Sequence, residues 1–319
     1  MIPLLSWDSG WSQSQIRVTR GSCIKPIGRI VSSQKSRQFC KGEQINIINE
    51  TLVICYSNQN FLRLQPGNYR TNSLCDPRQV KTAQRCTLLT KEGCPNRKGP
   101  GEGTENAPKI IQPYGKMLVD NRPSISWSAV PGANSYIVRL KSYHVNWIKL
   151  VNDTTLLYPL EEEELHYGNA IKFIVIAKKD NSYISEDTLL VHLLPERKIE
   201  PIKQVVQQLK SLDLPPDEVF VDLDAVYMSE GLLNETIEFL KAQVAAGSQN
   251  PTLYRILGDR YAQAWLPQQS VSAYTKAVEL AAVQGKTDEE AIAKERLELL
   301  NSVLNNFHNQ LPTRIKPDQ

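Results

Sequence analysis

The feature that most constrains this chain is an internal repeat with a spacing of 34 residues between Asp217 and Gly285. The aligned positions share their apolar or small character: Phe220 with Tyr254, Leu223 with Leu257, Tyr227 with Tyr261, and Thr236 with Ser270. A period of this length is typical of arrays in which each unit buries its apolar face only against neighbouring units. We therefore expect a stacked helical module over residues 197–319, closed by a last helix from about Asp288 to Phe307.

The order of residue types in the repeat is large apolar, Leu-Gly, Tyr, small, aromatic, small, which resembles the tetratricopeptide repeat. That resemblance implies two helical hairpins, 216–246 and 251–284, with Gly258 allowing the second pair of helices to approach closely. In the first hairpin, Asp224 stands where the glycine belongs. Arrays of this kind usually accept peptides or partner helices on the concave face of their first helices. The residues expected to bind a partner on this face are Asp224, Arg255, Asp259 and Gln263.

All six cysteines lie in the first 94 residues of the 319-residue chain, at Cys23, Cys40, Cys55, Cys75, Cys86 and Cys94. An even number of cysteines confined to one small module favours disulfides formed in an oxidising compartment. Free structural thiols and a metal site remain alternatives at this point. A zinc site lacks support because the region contains no CxxC pair and no histidine. No metal ligands and no cofactor are therefore predicted.

Residues 16–75 alternate in the manner of short β-strands separated by turn residues, which predicts a small β sandwich or barrel. The cysteine-rich β domain is expected to extend over residues 16–94, although hydrophobic periodicity is lost from Asp76. A "GRIV" strand is followed by "FCKGEQI" and then by "LVICYSNQNFLRLQPG". This order resembles the FecR-like β domain of bacterial envelope proteins, and it implies an extracytoplasmic binding or scaffolding module without catalytic residues. The Gly- and Pro-rich residues 95–107 are expected to form a linker.

A second β module is predicted over residues 108–196. The stretch RPSISWSAVPGANSYIVRL, from Arg122 to Leu140, resembles the start of a fibronectin type III domain. Alternation places Ile125 and Trp127 on one inward face, and Tyr136 and Val138 on the face opposite them. Trp127 is accordingly expected in the core. The expected fold class is multidomain, with two all-β modules followed by an all-α helical-repeat module.

Charge is distributed unevenly along the chain. Residues 1–107 contain 15 Lys and Arg against 7 Asp and Glu, whereas residues 197–319 contain 13 against 17. A basic N-terminal region attracts anionic partners over long distances. The alternative function is therefore recognition of an anionic envelope polymer. The cations expected to carry it are Arg17, Arg20, Lys25, Arg29, Lys35, Arg37 and Lys41.

The cysteine pattern predicts an extracytoplasmic location, in the periplasm or cell envelope, and such a location requires an export signal. Residues 1–15 resemble only the remnant of such a signal, since Ile2–Leu5 is apolar but no basic segment precedes it. We therefore expect the true start upstream of Met1, or a signal truncated there. A cytosolic protein is the competing interpretation. No stretch approaches the roughly 18 apolar residues of a membrane span.

No catalytic motif occurs: the sequence lacks GxSxG, HExxH, GxxxxGK[ST] and an EF-hand loop. The acidic run Glu161–Glu164 has no Gly or Asp turn for calcium and is expected to be a solvated loop. The sequence therefore predicts a non-catalytic protein that binds a protein or peptide and no nucleic acid. An uncharacterised hydrolase is the remaining alternative, and it would require histidines and carboxylates that meet only in the fold.

Overall fold

The computed structural model describes residues 25–32, 35–80, 86–90, 106–212 and 214–310. Strands dominate as far as residue 193 and helices dominate from residue 196, so the predicted order of β structure followed by helices is confirmed at this coarse level. The chain divides into two compact units, Met1–Gln79 and Val80–Gln319. Over the described ranges, no helix has both the length and the apolar character needed to cross a bilayer.

The described part of the first unit is a small β structure. Its elements are β1 (Pro26–Val31), β2 (Ser36–Cys40), β3 (Gln44–Ile47), β4 (Thr51–Cys55), β5 (Asn60–Leu64), β6 (Gly67–Arg70), the single-turn helix α1 (Thr71–Leu74) and a 3-10 turn (Pro77–Gln79). The order β2-β1-β4-β5 forms one antiparallel sheet, and β3 pairs with β6. Strand β4 is buried along its whole length, which explains its nearly continuous apolar sequence, TLVIC.

Gly28 in strand β1 is required by packing rather than by backbone conformation. A Cβ atom at this position would lie 2.3 Å from the Ile54 carbonyl oxygen and 2.4 Å from the ring of Phe39. Ordinary contacts between non-bonded carbon atoms are about 3.5–4.0 Å. The glycine of the "GRIV" stretch therefore allows the Phe39 ring to cover the strand and complete the core with Ile30 and Val53.

The second unit begins with a β sandwich. Its strands are β7 (Ile110–Gln112), β8 (Met117–Leu118), β9 (Ile125–Trp127), β10 (Ser135–Lys141), β11 (Asn146–Val151), β12 (Thr155–Leu156), β13 (Ala170–Lys179) and β14 (Ser182–Leu193). One sheet has the order β11-β10-β13-β14-β8 and the other has the order β12-β9-β7. The predicted core position of Trp127 is confirmed: the residue is 3% exposed, and its ring meets that of Tyr136 edge-on with centroids 5.4 Å apart.

Six helices follow in the described residues: α2 (Glu196–Lys210), α3 (Pro216–Met228), α4 (Leu233–Ala245), α5 (Pro251–Gln263), α6 (Pro267–Val283) and α7 (Thr287–Gln310). Helix α5 begins at Pro251 after Asn250, whose side chain accepts a hydrogen bond from the Thr252 amide at 3.0 Å. Gly258 lies against the Tyr274 ring, and a Cβ there would be 2.6 Å from ring carbons. Both predicted hairpins and the close approach at Gly258 are confirmed.

The sandwich and the helices of the second unit share a core, which the sequence did not indicate. Tyr114, in the loop after β7, packs among helical residues that include Leu233 and Ile237. Burial, with a smaller contribution from Glu238, raises the pKa of Tyr114 to about 12. The Asn234 side chain accepts a hydrogen bond from the Tyr114 amide at 3.2 Å. These contacts join the predicted second and third modules into one compact unit.

Candidate functional site

Two of the residues predicted to bind a partner, Asp224 and Gln263, surround the guanidinium of Arg260. Arg260 donates from Nε and Nη2 to the two oxygens of Asp224, both at 2.7 Å. The two side chains are only 8% and 9% exposed. Burial acts to lower the pKa of Arg260, but the Asp224 carboxylate outweighs burial and raises it above its ordinary value. Gln263 accepts a further hydrogen bond from Arg260 at 3.1 Å.

The other two predicted positions, Arg255 and Asp259, form a neighbouring network. Arg255 donates to Glu289 of α7 and, at 3.3 Å, to Asp259 one turn further along α5. Asp259 accepts a hydrogen bond from the Tyr274 hydroxyl at 2.7 Å. Burial and then the charge of Asp259 raise the pKa of Tyr274. The four predicted residues thus connect helices within the array, and a role for them in partner binding stays a prediction.

A short segment outside the helices docks on this array. We call residues 86–90, with the sequence CTLLT, the Leu88 segment. Leu88 is 4% exposed and packs with Ala262, Tyr274 and Leu300, from helices α5, α6 and α7. We call this set of three side chains the Leu88 pocket. Leu89 and Trp265 are among the partly buried side chains that pack against this cluster.

Hydrogen bonds fix the position and shape of the Leu88 segment. The Leu88 amide donates to the carbonyl of Ala262, in the last turn of α5, at 3.1 Å, and the same oxygen accepts from the Trp265 amide at 3.3 Å. The Thr87 hydroxyl accepts from the amides of Leu89 and Thr90 at 3.0 and 3.3 Å, which holds the segment in a compact turn. The array therefore contacts both an apolar side chain and a backbone group of a non-helical segment.

The Leu88 pocket and the polar network meet at Tyr274. Its ring contributes to the pocket and covers Gly258, while its hydroxyl is held by Asp259. The network therefore determines where this ring lies. This site is not predicted by the sequence, because the cysteine-rich β domain is expected to extend to residue 94. The available signal was the Leu88-Leu89 pair within a stretch otherwise rich in Lys, Arg, Gly and Pro.

The residues predicted to bind a polyanion have different environments in the first unit. Lys25, Lys35 and Lys41 are exposed. Arg29 is only 3% exposed and donates to Ser36 at 3.0 Å, while Arg37 pairs with Glu43 at 2.5 Å. These two arginines therefore take part in the packing of the unit. Arg17 and Arg20 lie outside the described residues.

The cysteine pattern predicts disulfides, and for one of them the structure describes both partners. Cys55 and Cys75 form a disulfide within the first unit, and both are buried in its core. Cys40 and Cys86 are each in a disulfide as well. Cys23 and Cys94 lie outside the described residues. The described cysteines therefore agree with the disulfide interpretation.

Polar clusters in the sandwich have structural explanations. The run Glu161–Glu164 lies in the loop between β12 and β13, as expected, where Lys149 contacts both Glu161 and Glu162 at 2.8 Å. His166 approaches Glu163 at 3.2 Å, and its ring centroid is 5.1 Å from that of His144. Within the described residues, no three His, Cys, Asp or Glu side chains are grouped so as to hold a metal ion.

No protein-family model matches the chain, and no curated protein matches it significantly.

Proposed function

We propose that this protein is a non-catalytic binding and scaffolding protein of the cell envelope, whose helical array holds short apolar segments of polypeptide. The docked Leu88 segment is the observation that carries the proposal. It is a non-helical piece of chain held by one buried leucine and one backbone hydrogen bond. This combination is the usual means by which a groove recognises a peptide, with side-chain pockets adding specificity to backbone contacts.

The energetic scale of this contact suits reversible recognition. Full burial of a leucine side chain contributes about 1.5–3 kcal/mol, and a backbone hydrogen bond contributes about 1 kcal/mol net. A free peptide would lose most of this to ordering, whereas a segment of the same chain is already held nearby. The Leu88 segment therefore occupies the pocket in cis, and a partner segment would have to displace it.

The envelope location in the proposal rests on the cysteines. Persistent disulfides form in extracellular and periplasmic compartments and are rare in the reducing cytosol. The buried Cys55–Cys75 disulfide and the bonded state of Cys40 and Cys86 therefore support an extracytoplasmic protein.

The proposal predicts that an emptied Leu88 pocket binds the same segment in trans. In the Leu88→Ser/Leu89→Ser variant, a capped STLLT peptide, which carries serine in place of Cys86, should bind weakly, with a Kd of about 10–100 mM, because ordering of the free peptide offsets most of the contact energy. Labelling with 5-fluorotryptophan gives the readout, because Trp265 packs in this cluster and its fluorine resonance should shift on binding. The unmodified chain should shift much less, since its own segment fills the pocket.

The matched control is an STSST peptide, which keeps the backbone and the threonines but lacks both leucines. Circular dichroism of the variant establishes that the helices remain folded. A Trp265 resonance that does not move with STLLT, or that moves equally with STSST, would contradict recognition of apolar segments by the array.

A second candidate function is recognition of an anionic envelope polymer by the first unit. The exposure of Lys25, Lys35 and Lys41 favours it. Exposed cations attract a polyanion electrostatically, and salt weakens this attraction. The Debye screening length is about 10 Å at an ionic strength of 0.1 M. The acidic helical region would contribute little to such binding.

This alternative predicts that the Lys25→Glu/Lys35→Glu/Lys41→Glu variant loses affinity for inorganic polyphosphate by about tenfold or more at low salt. The control is Lys141→Glu/Lys172→Glu/Lys179→Glu, which makes the same charge change at exposed sites of the sandwich. Binding is measured by fluorescence anisotropy over a salt series. Equal losses in the two variants would indicate an effect of net charge alone.

A further inference from the structure

A cavity of about 330 Å³ lies in the second unit between helix α2 and the hairpin of α3 and α4. Its apolar wall includes Ile199, Ile202 and Val206 of α2. This volume is within the range of about 300–1,000 Å³ found for small-molecule sites. The cavity is separate from the Leu88 pocket, since the two share no lining residue.

One wall of the cavity contains a sheltered carboxylate, Glu235 in the first turn of α4. Its Oε1 accepts a hydrogen bond from the Val119 amide at 2.6 Å. Its Oε2 is buried without a hydrogen-bond partner among the described residues. Because this atom has almost no accessible surface, a ligand in the cavity does not contact it. The carboxylate is therefore part of the cavity wall rather than a group that binds a ligand.

Burial raises the pKa of Glu235, and backbone hydrogen bonds from Val119, Glu235 and Asp120 act in the opposite direction. Tyr227 also lines the cavity, and burial together with the charge of Glu235 raises the pKa of its hydroxyl. Glu235 and Tyr227 therefore form a polar end in a cavity whose remaining wall is largely apolar.

Two lysines of α2 complete the lining. Lys203 and Lys210 line the cavity and are exposed, and neither forms an ion pair with any described residue. They stand seven positions apart, two turns along the same helical face. An anionic group held near them would keep contact with water, while an apolar body attached to it would lie against Ile202 and Val206.

We propose that this cavity binds a small amphipathic anion with an apolar body. The body lies against the apolar wall, and the anionic group lies between Lys203 and Lys210. The volume suits a small organic molecule and excludes a folded partner. Nothing in this proposal depends on the Leu88 segment or on its partners.

The test uses the full chain and 8-anilinonaphthalene-1-sulfonate, which has apolar rings and an anionic sulfonate. Fluorescence titration should show saturable binding to one site. Val206→Trp should weaken it by about tenfold or more by filling the cavity. Val283→Trp is the matched control, because Val283 is 87% exposed on α6, and its affinity should equal that of the unmodified chain.

A further variant tests the contact with the anionic group without filling the cavity. Lys203→Glu/Lys210→Glu alters only exposed side chains and should weaken binding by about tenfold at low salt. The lysine variant keeps the test valid if Val206→Trp fails to fold. Absence of saturable binding, or unchanged affinity in the folded variants, overturns the proposal.

Discussion

Replacing Asp224 by alanine is expected to lower the free energy of unfolding by about 3–5 kcal/mol, because it leaves the Arg260 guanidinium buried without its carboxylate. Both oxygens of Asp224 accept from Arg260, and both side chains are at least nine-tenths buried. The pair links α3 in the first repeat to α5 in the second. Urea unfolding followed by tryptophan fluorescence measures the change, since Trp265 lies just beyond α5.

Two variants separate the loss of one partner from the loss of the pair. Asp224→Leu/Arg260→Met replaces both charges by apolar side chains and should be within about 1–2 kcal/mol of the unmodified chain, because neither charge is left buried alone. Glu279→Ala removes an exposed pairing with Lys276 and should cost no more than about 0.5 kcal/mol. A double variant as unstable as Asp224→Ala would show that the pair stabilises the array beyond the burial of its charges.

Replacing Cys55 and Cys75 together by alanine is expected to cost the first unit about 2–5 kcal/mol. The disulfide joins positions separated by 20 residues, so its loss enlarges the unfolded ensemble, and the alanines also leave the core underpacked. Hydrogen exchange should show faster exchange in Thr51–Cys55. The amides of Ala170–Lys179, which belong to the separate core of the sandwich, provide an internal reference and should keep their protection.

Asn46→Ala is the control for this measurement, since Asn46 is exposed on β3 of the same unit, and its exchange pattern should match that of the unmodified chain. Unaltered protection of Thr51–Cys55 in the double alanine variant would mean that the core holds this unit without the disulfide. Faster exchange in Ala170–Lys179 would mean that the two units unfold together.

The sequence by itself determined the local elements and the direction in which their side chains face. Alternation was sufficient to bury Trp127 and Tyr136 on facing strands, because a strand's two faces are encoded by every second residue. The 34-residue spacing predicted both hairpins, and Gly258 was correctly assigned to a close approach. Each of these inferences depends on residues that are near in the chain.

Only the tertiary structure decided which surfaces meet. The pairing of Asp224 with Arg260 crosses from one repeat to the next, and the contact of Val119 with Glu235 joins residues 116 positions apart. Leu88 reaches α5 from a stretch without hydrophobic periodicity. Sequence periodicity indicates which face of a helix or strand is apolar, but it does not indicate which element packs against that face. That choice depends on packing between distant elements, and it created the Leu88 pocket and the Glu235 cavity.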